Sequence, residues 1–171
     1  MIFISGVHGV GKSFFCDKVK SALNIDTYSA SALISTRKHR PFAADKLIPD
    51  IDANQRHLLA AVEELRAGNN QFLLDGHFCL LNGEGQVTRI GMDTFTTLRP
   101  DAIILLTEKP EIIAERRKRR DGITYDIEQI QNFQNEEVSY AKEVAALLEV
   151  KLKISGGQED LDSIMAFIQE H

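Results

Sequence analysis

The chain has 171 residues, a length that fits one domain and allows a core of its own. With 43% hydrophobic and 26% charged residues it has the composition of an ordinary soluble globular protein. A formal net charge of −5 argues against a dedicated nucleic-acid binder. Two cysteines, Cys16 and Cys79, are too few for a disulfide scaffold and lack zinc-type spacing, which favours reduced thiols and a cytoplasmic location. No apolar run is long enough to span a bilayer, and no signal peptide is recognisable, so we expect no membrane partner.

A short apolar strand over 2–4 opens the chain, and a glycine-rich segment follows it. Residues 6–13 spell GVHGVGKS, the Gly-x-x-x-x-Gly-Lys-Ser pattern of a phosphate-binding loop. Gly6, Gly9 and Gly11 allow tight turns that bring backbone N–H groups close to an anion. Lys12 is placed to reach the β- and γ-phosphates of a nucleotide, and the Ser13 hydroxyl to bind Mg²⁺. The motif therefore predicts binding of ATP and Mg²⁺.

Apolar residues at helical spacing behind the loop, Phe15, Val19 and Leu23, predict a helix that begins near Lys12. Its positive N-terminal end adds to the same anion site. This strand–loop–helix context favours a phosphate-binding loop over a glycine-rich turn with a chance lysine. The predicted nucleotide-binding residues of this segment are Gly6, His8, Gly9, Val10, Gly11, Lys12, Ser13 and Phe14, and His8 is expected to contribute its backbone N–H.

The remaining elements alternate between strands and helices. Strands are predicted over 25–28, 71–75, 102–107 and 150–154, and helices over 31–36, 50–67, 110–120, 127–148 and 161–168. Residues 81–91 are interpreted as a polar, glycine-rich loop, and Asp93 as the cap of a short helix that ends near Arg99. Five apolar strands alternating with helices imply an α/β fold, a parallel sheet covered on both faces.

Ligands of such sheets bind beyond the carboxyl ends of the strands, where Asp75 and His77 are expected. Asp75 ends the apolar run of "FLLDGHF", a position suited to holding a metal-bound water or accepting a proton from the acceptor. The alternative is a carboxylate that caps a turn. For His77, contact with the acceptor and a structural hydrogen bond are both open interpretations.

The basic run "ERRKRRDG", residues 115–122, has three possible interpretations: a lid over phosphates, a solvated helix face, or a nucleic-acid patch. Helical geometry places Arg116, Arg119 and Arg120 on the same side as Ile112 and Ile113, with Arg117 and Lys118 pointing elsewhere. We favour the lid, because arginines there would neutralise charge on the transferring phosphoryl group. Gly122 would serve as its hinge.

The chain resembles the adenylate kinase and nucleoside monophosphate kinase family of P-loop kinases, and among them the archaeal-type short-lid adenylate kinases. The resemblance lies in "GVHGVGKS", "LLDGH", "LRPDAIILLTEKPEIIAERR" and "IEQIQNFQNEEVSYAKEVA". It implies a three-layer P-loop fold with a five-stranded parallel sheet of order 2-3-1-4-5. It also implies ATP–Mg²⁺ as donor, a lid over 115–125 that carries Arg116 and Arg120, with Arg119 as a substitute, and adenine near residues 155–157, including Gly156.

The acceptor half departs from that family, because no Gly-Phe-Pro-Arg segment follows the third strand and the lid is short. Within the helical segment 29–67, "STRKHRPF" offers Arg37, Lys38 and Arg40 as phosphate ligands. Asn54 and Gln55 continue the apolar face of the next helix toward the cleft. The predicted acceptor-binding residues are Arg37, Gln55, His77 and Arg89.

The sequence hypothesis is a single-domain kinase, residues 1–171, that transfers the γ-phosphoryl group of ATP–Mg²⁺ to a small acceptor, in the first place a nucleoside monophosphate. Lys12, Asp75 and Arg116, Arg119 and Arg120 would be catalytic, and Ser13 and Asp75 would bind the metal. Two alternatives stay open: a small hydroxyl acceptor of the shikimate or gluconate type, and a nucleotide-dependent switch or regulatory ATPase without a small acceptor. A monomer or homodimer without nucleic acid is expected.

Overall fold

The computed structural model describes residues 1–38, 47–48, 50–68, 71–156 and 160–171. Arg40 and residue 157 of the predicted adenine loop lie outside the described residues. The strands are β1 (Ile2–Ser5), β2 (Asp26–Ser29), β3 (Leu47–Ile48), β4 (Phe72–Asp75), β5 (Cys79–Asn82), β6 (Val87–Arg89), β7 (Ala102–Leu106) and β8 (Lys151–Ser155). The helices are α1 (Lys12–Leu23), α2 (Ala30–Lys38), α3 (Ile51–Arg66), α4 (Met92–Leu98), α5 (Pro110–Asp121), α6 (Ile127–Leu148) and α7 (Leu161–Gln169).

Five strands form one parallel sheet in the order β2-β4-β1-β7-β8. Numbered along the chain, these five strands have the order 2-3-1-4-5, so the predicted fold class and strand order are confirmed. Strands β1 and β7 are buried along their whole length, as expected for central strands covered by helices on both faces. Strand β1 lies in the middle, and the phosphate-binding loop therefore leaves from the centre of the sheet's carboxyl edge.

A second sheet was not predicted. Residues 81–91, interpreted as a loop, include the end of β5, the hairpin turn and β6, and β5 also pairs in parallel with β3. The hairpin turn is held by the Asn82 side chain, whose Oδ1 accepts from the N–H groups of Glu84 and Gln86 at 2.9 Å each, and by Gly85 at φ +79°. This polar turn chemistry replaces the apolar alternation that usually reveals a strand.

Helix α4 begins differently from its prediction. Its N-cap is Gly91, which makes no side-chain cap, and Asp93 is the second residue of the helix. Asp93 is therefore not the cap that the sequence indicated. Its carbonyl oxygen accepts from the hydroxyls of Thr96 and Thr97 at 2.9 and 2.8 Å, so the first turn is held from within the helix.

An aromatic cluster joins the central sheet to the helices beside the hairpin. The rings of Phe3, Phe78 and Phe95 lie within 5.8 Å of one another, and Tyr140 of α6 meets Phe78 and Phe95 edge-on. The Tyr140 hydroxyl donates to the Ile90 carbonyl at 2.6 Å. Edge-to-face packing adds stability beyond the contribution of the buried area. Because Phe78 belongs to the turn between β4 and β5, the cluster holds this turn against the central sheet and α6.

No helix in the described ranges has both the length and the apolar character needed to cross a membrane.

Phe78→Ala tests the aromatic cluster. Phe78 is fully buried, so its truncation leaves a cavity and is expected to lower the free energy of unfolding by about 3–5 kcal/mol in urea titration. Phe14→Ala is the matched control, because Phe14 is 50% exposed and its loss should change stability by less than about 0.5 kcal/mol. Equal effects of the two substitutions would contradict this account of the core.

Candidate phosphate and acceptor site

The loop between β1 and α1 has the backbone of an anion cradle. Gly6 and Gly9 have φ of +145° and +87°. A Cβ on Gly6 would lie 2.6 Å from the Leu106 carbonyl oxygen, so no other residue fits there. Helix α1 starts at Lys12 behind Gly11, without a side-chain cap and without an acidic residue in its first turn. The N–H groups of that turn are therefore open to an anion.

Lys12 is 8% exposed and lies at the centre of the site. Its ammonium donates to the Gly6 carbonyl, lies 3.1 Å from His77 Nε2 and 3.9 Å from Asp75 Oδ1. Burial lowers the pKa of Lys12, and the nearby carboxylates of Asp75 and Glu137 partly oppose that effect. A buried cation with such sparse compensation favours a polyanion as ligand.

Asp75, the last residue of β4, lies where the sequence predicted it, at the carboxyl edge beside the loop. Burial raises the pKa of its carboxyl, and the Lys12 ammonium partly opposes the shift. Ser13 and Asp75 line the same cavity. Within the described ranges no cluster of three or more histidine, cysteine or acidic side chains is arranged to hold a metal ion by itself.

A cavity of about 550 Å³ extends from the phosphate-binding loop toward helices α2, α3 and α4. His8 and His77 line it, with ring centroids 4.3 Å apart, and Lys12 contributes from below them. Asn54 and Gln55 of α3 also line it, at 3% and 6% exposure. The structure thus brings Lys12, Asp75, His77 and Gln55 of the predicted site to one cavity.

Two predicted acceptor ligands lie elsewhere. Arg37 pairs with Glu64 at 2.5 Å and does not line the cavity. Arg89 pairs with Glu136 and with Glu143 at 2.5 and 2.8 Å, and its guanidinium lies 4.7 Å from the Tyr140 ring centroid. Both side chains are engaged by acidic partners on neighbouring helices, which the sequence gave no means of foreseeing.

The predicted lid arginines divide into three situations. Arg116 Nη1 donates to the Val10 carbonyl of the phosphate-binding loop at 2.9 Å. Arg120 borders the cavity, but Asp121 accepts from its Nε and Nη2 at 2.6 and 2.8 Å. Arg119 pairs with Glu115, and its side chain is 77% exposed. The prediction that Arg119 shares the side of Arg116 and Arg120 is therefore wrong.

Arg117 was expected to point away from the protein, and that expectation is also wrong. Its aliphatic stem packs on the phosphate-binding loop, so that a Cβ on Gly9 would lie 2.7 Å from Arg117 Cγ. Its guanidinium lies 3.6 Å from the Tyr125 ring centroid. The core-facing stripe of α5 is centred on Ile113, which is fully buried, whereas Ile112 is 37% exposed. From Ile113, steps of three, four and seven residues reach 116, 117 and 120.

Glu137 is a buried residue of the site that sequence reasoning missed. It is fully buried on α6, and its carboxylate accepts from the Ser5 hydroxyl and from the N–H groups of Phe78 and Cys79 at 2.8 and 2.7 Å. Burial raises the pKa of the Glu137 carboxyl, and these three hydrogen bonds oppose the shift. A glutamate inside a long amphipathic helix carries no motif, and its place on the buried face was the one available signal.

A smaller cavity of about 330 Å³ lies on the other side of the loop, between α1 and the ends of β7 and β8. Val10, Gly11 and Phe14 line it from the loop side, and Arg116 and Ser155 line it from the other. Gly156, the predicted adenine neighbour, directly follows Ser155, and its N–H donates to Asp160 at 2.9 Å.

Solved structures with this fold include P-loop kinases. A gluconokinase from Sinorhizobium meliloti 1021 matches with a TM-score of 0.56 and 19% identity, over 98% of this chain and 87% of that one. A shikimate kinase from Bacteroides thetaiotaomicron matches at 0.58 and 15%, over 99% and 95%. A shikimate kinase from Acinetobacter baumannii in complex with shikimate matches at 0.59 and 13%, over 99% and 90%. The fold is thus that of the P-loop kinases.

A family model described as AAA domain matches residues 5–134, which include the phosphate-binding loop, β4 and α5. The chain belongs to this family. No protein with a curated function matches the sequence. These comparisons support the expected membership in the P-loop kinases. They do not specifically support the resemblance to adenylate kinases, since the solved structures named above are a gluconokinase and two shikimate kinases.

Glu137→Gln tests the buried carboxylate. In the variant an NH₂ group takes the place of one carboxylate oxygen and faces a hydrogen-bond donor, which then has no acceptor. This mismatch is expected to lower the free energy of unfolding by about 1–3 kcal/mol. Glu136→Gln is the control, because Glu136 forms an exposed pair with Arg89 and its loss should cost less than about 1 kcal/mol. Urea titration measures both, and a Glu136→Gln effect as large as that of Glu137→Gln would refute the assignment.

Proposed function

We propose that the protein is a kinase that transfers the γ-phosphoryl group of ATP to a hydroxyl group of a small molecule bound in the 550 Å³ cavity. The observation that carries the proposal is the continuity of this cavity with the phosphate-binding loop, with Asp75 lining it beside Lys12. A switch that only bound and hydrolysed nucleotide would need no such acceptor chamber.

The residues present fit ATP and magnesium. The loop from Gly6 to Ser13 offers backbone N–H groups, the uncapped start of α1 and the Lys12 ammonium to a triphosphate. Mg²⁺ in phosphoryl-transfer sites takes one or two protein oxygens and completes its shell with phosphate and water oxygens. The Ser13 hydroxyl would supply one such oxygen, and Asp75 would hold a metal-bound water. When bound, the metal would neutralise charge on the phosphates.

The chain's residues have defined parts in the proposed step. The acceptor hydroxyl oxygen forms a bond to the γ-phosphorus, the bond from that phosphorus to the β–γ bridging oxygen breaks, and ADP leaves. Asp75 receives the hydroxyl proton, a role helped by the raised pKa of its carboxyl. Lys12 holds the phosphates in line with the acceptor, and the cavity walls exclude water that would otherwise compete.

Arginines of residues 115–125 would complete the site as a lid. Arg116 lies beside the phosphate-binding loop, where it donates to the Val10 carbonyl, and it must release Glu108, with which it pairs at 3.1 Å, before it can meet a phosphate. Arg120 borders the cavity and must leave Asp121 before it can act on the phosphoryl group. Gly122, in the left-handed region at φ +72°, is the residue at which we propose the segment hinges.

A hydroxyl compound without a phosphate is the acceptor that we propose in preference to a nucleoside monophosphate. Acceptor phosphates need cations, and the two predicted arginine ligands that the structure describes, Arg37 and Arg89, are occupied by carboxylates outside the cavity. The structural neighbours named gluconokinase and shikimate kinase support the same preference by analogy of fold.

Lys12→Ala and Ser13→Ala test the donor site. Each is expected to lower ADP formation with any accepted hydroxyl compound at least about a hundredfold, because charge stabilisation of the phosphoryl group is lost. Lys18→Ala, an exposed lysine on the same helix, serves as the control. The readouts are coupled ADP assay, calorimetry with ATP–Mg²⁺, and circular dichroism for the fold. Undiminished turnover in Lys12→Ala would overturn the proposal.

Asp75→Asn tests the proton acceptor. Asp75 acts only when ionised, so kcat/KM of the wild type should fall as pH decreases through its pKa, which burial raises above the ordinary aspartate value. The asparagine variant is expected to lose about 10²–10⁴-fold in kcat and to lack this acidic limb. Asp26→Asn, an exposed aspartate paired with Lys20, is the control. An unchanged limb in Asp75→Asn would assign the proton to another group.

A further inference from the structure

Two buried polar side chains line the acceptor cavity without a partner in the described part of the chain. Gln55 of α3 is 6% exposed and Thr94 of α4 is 4% exposed, and both line the cavity. Neither the Gln55 carboxamide nor the Thr94 hydroxyl makes a hydrogen bond to a described residue. Both side chains therefore keep hydrogen-bonding capacity for a molecule bound in the cavity.

The surrounding wall is apolar. Between these two polar groups the cavity is lined by Ile34, Leu58, Ile90, Phe95 and Leu98, all of them buried. A flat or apolar ring fits such a wall, since it buries its faces against aliphatic and aromatic side chains.

Charge is confined to the phosphate end of the cavity. Among the described residues the charged side chains that line it are Lys12, Asp75 and Arg120, from the loop, β4 and α5. On the side formed by α2, α3 and α4 the described polar lining consists of amides and hydroxyls. Lys38, a described cation at the end of α2, donates to Asn54 Oδ1 at 2.7 Å and is itself exposed. Among the described residues, an anionic group on this side of the cavity would therefore meet amides and hydroxyls and no counter-charge.

A carboxamide has a distinctive recognition chemistry, because it presents a donor and an acceptor side by side. That pair is complementary to a nucleobase edge, on which a donor and an acceptor also stand together. The Thr94 hydroxyl either donates or accepts, and so completes a contact with either kind of group.

We propose that the acceptor is an uncharged, ring-bearing hydroxyl compound of the nucleoside class, whose base edge is held by Gln55 and Thr94 on the side of the cavity away from Lys12. This inference rests on the proposed kinase function and names its substrate class. The ribose hydroxyl would then point toward Asp75 and the phosphate-binding loop, while the base packs against Phe95 and Leu58.

A matched acceptor panel tests the class. Purified full-length protein with ATP–Mg²⁺ is assayed for ADP and phosphorylated product with purine and pyrimidine nucleosides, the corresponding 5′-monophosphates, gluconate and shikimate. We expect at least one nucleoside to be phosphorylated with a kcat/KM at least about tenfold above that of every anionic acceptor. Transfer to a monophosphate or a carboxylate in preference to nucleosides would overturn the inference and leave the kinase function standing. ATP binding without transfer to any acceptor would overturn both.

Gln55→Leu tests the predicted contact, with Thr94→Val as the second variant. Each is expected to raise KM for the accepted nucleoside at least about tenfold, and to change the preference among bases, with little change in kcat. Gln129→Leu, the same substitution at an exposed position of α6, is the control. Circular dichroism and calorimetry with ATP–Mg²⁺ verify the fold and the donor site. If both variants retained KM and base preference within twofold, Gln55 and Thr94 would not be the recognition groups.

Discussion

The site depends on one electrostatic imbalance, a lysine ammonium held out of water without a full counter-charge. Lys12 is 8% exposed, and its partners are a carbonyl, a histidine nitrogen and a carboxylate at 3.9 Å. The loop around it adds N–H groups, the positive end of a helix and one carbonyl, that of Gly6. The folded chain therefore concentrates positive potential at the centre of its sheet. A polyanion such as a triphosphate would supply the missing negative charge.

The buried carboxylate of Glu137 links the strand that precedes the phosphate-binding loop to the turn after β4. Its carboxylate accepts hydrogen bonds from Ser5, at the end of the central strand, and from the turn after β4 that carries His77. One helix, α6, thus fixes the spacing between the phosphate-binding loop and the wall that faces the acceptor. The same helix contributes Tyr140 to the aromatic cluster beside that wall. Helix α6 therefore contacts both the strand that leads into the phosphate-binding loop and the turn that carries His77.

The fold and the phosphate-binding loop could be predicted from the sequence because both depend on residues that are close together in the chain. A phosphate-binding loop needs glycines at fixed spacing, and the apolar strands of a parallel sheet stand out as uninterrupted runs. Arg37 and Arg89 could not be placed by such reasoning, since their positions depend on Glu64, Glu136 and Glu143, which are distant in sequence or on another element. For α5, an error of one residue in choosing the centre of the stripe exchanged the roles of Arg117 and Arg119.

The remaining differences between the sequence predictions and the structure arise from tertiary packing. The hairpin of β5 and β6 forms on polar turn chemistry, which resembles a loop when only apolar periodicity is considered. Glu137 has no neighbouring motif, and only the three donors that meet on it make its burial tolerable. Gln55, by contrast, was placed correctly because it continues a well-marked helical face. Its lack of a partner is visible only when the whole cavity has been assembled.

The stacking of Arg117 has a mechanical consequence. Its stem lies against Gly9 while its guanidinium covers the Tyr125 ring, so the middle of α5 is clamped between the loop and the segment that follows the helix. A rigid-body movement of the whole of α5 would break both of these contacts. The Tyr125 hydroxyl also donates to Asp121 at 2.7 Å, so the last turn of α5 is tied to the same ring. Arg117 thus anchors the C-terminal half of α5 to both the phosphate-binding loop and the segment that follows the helix.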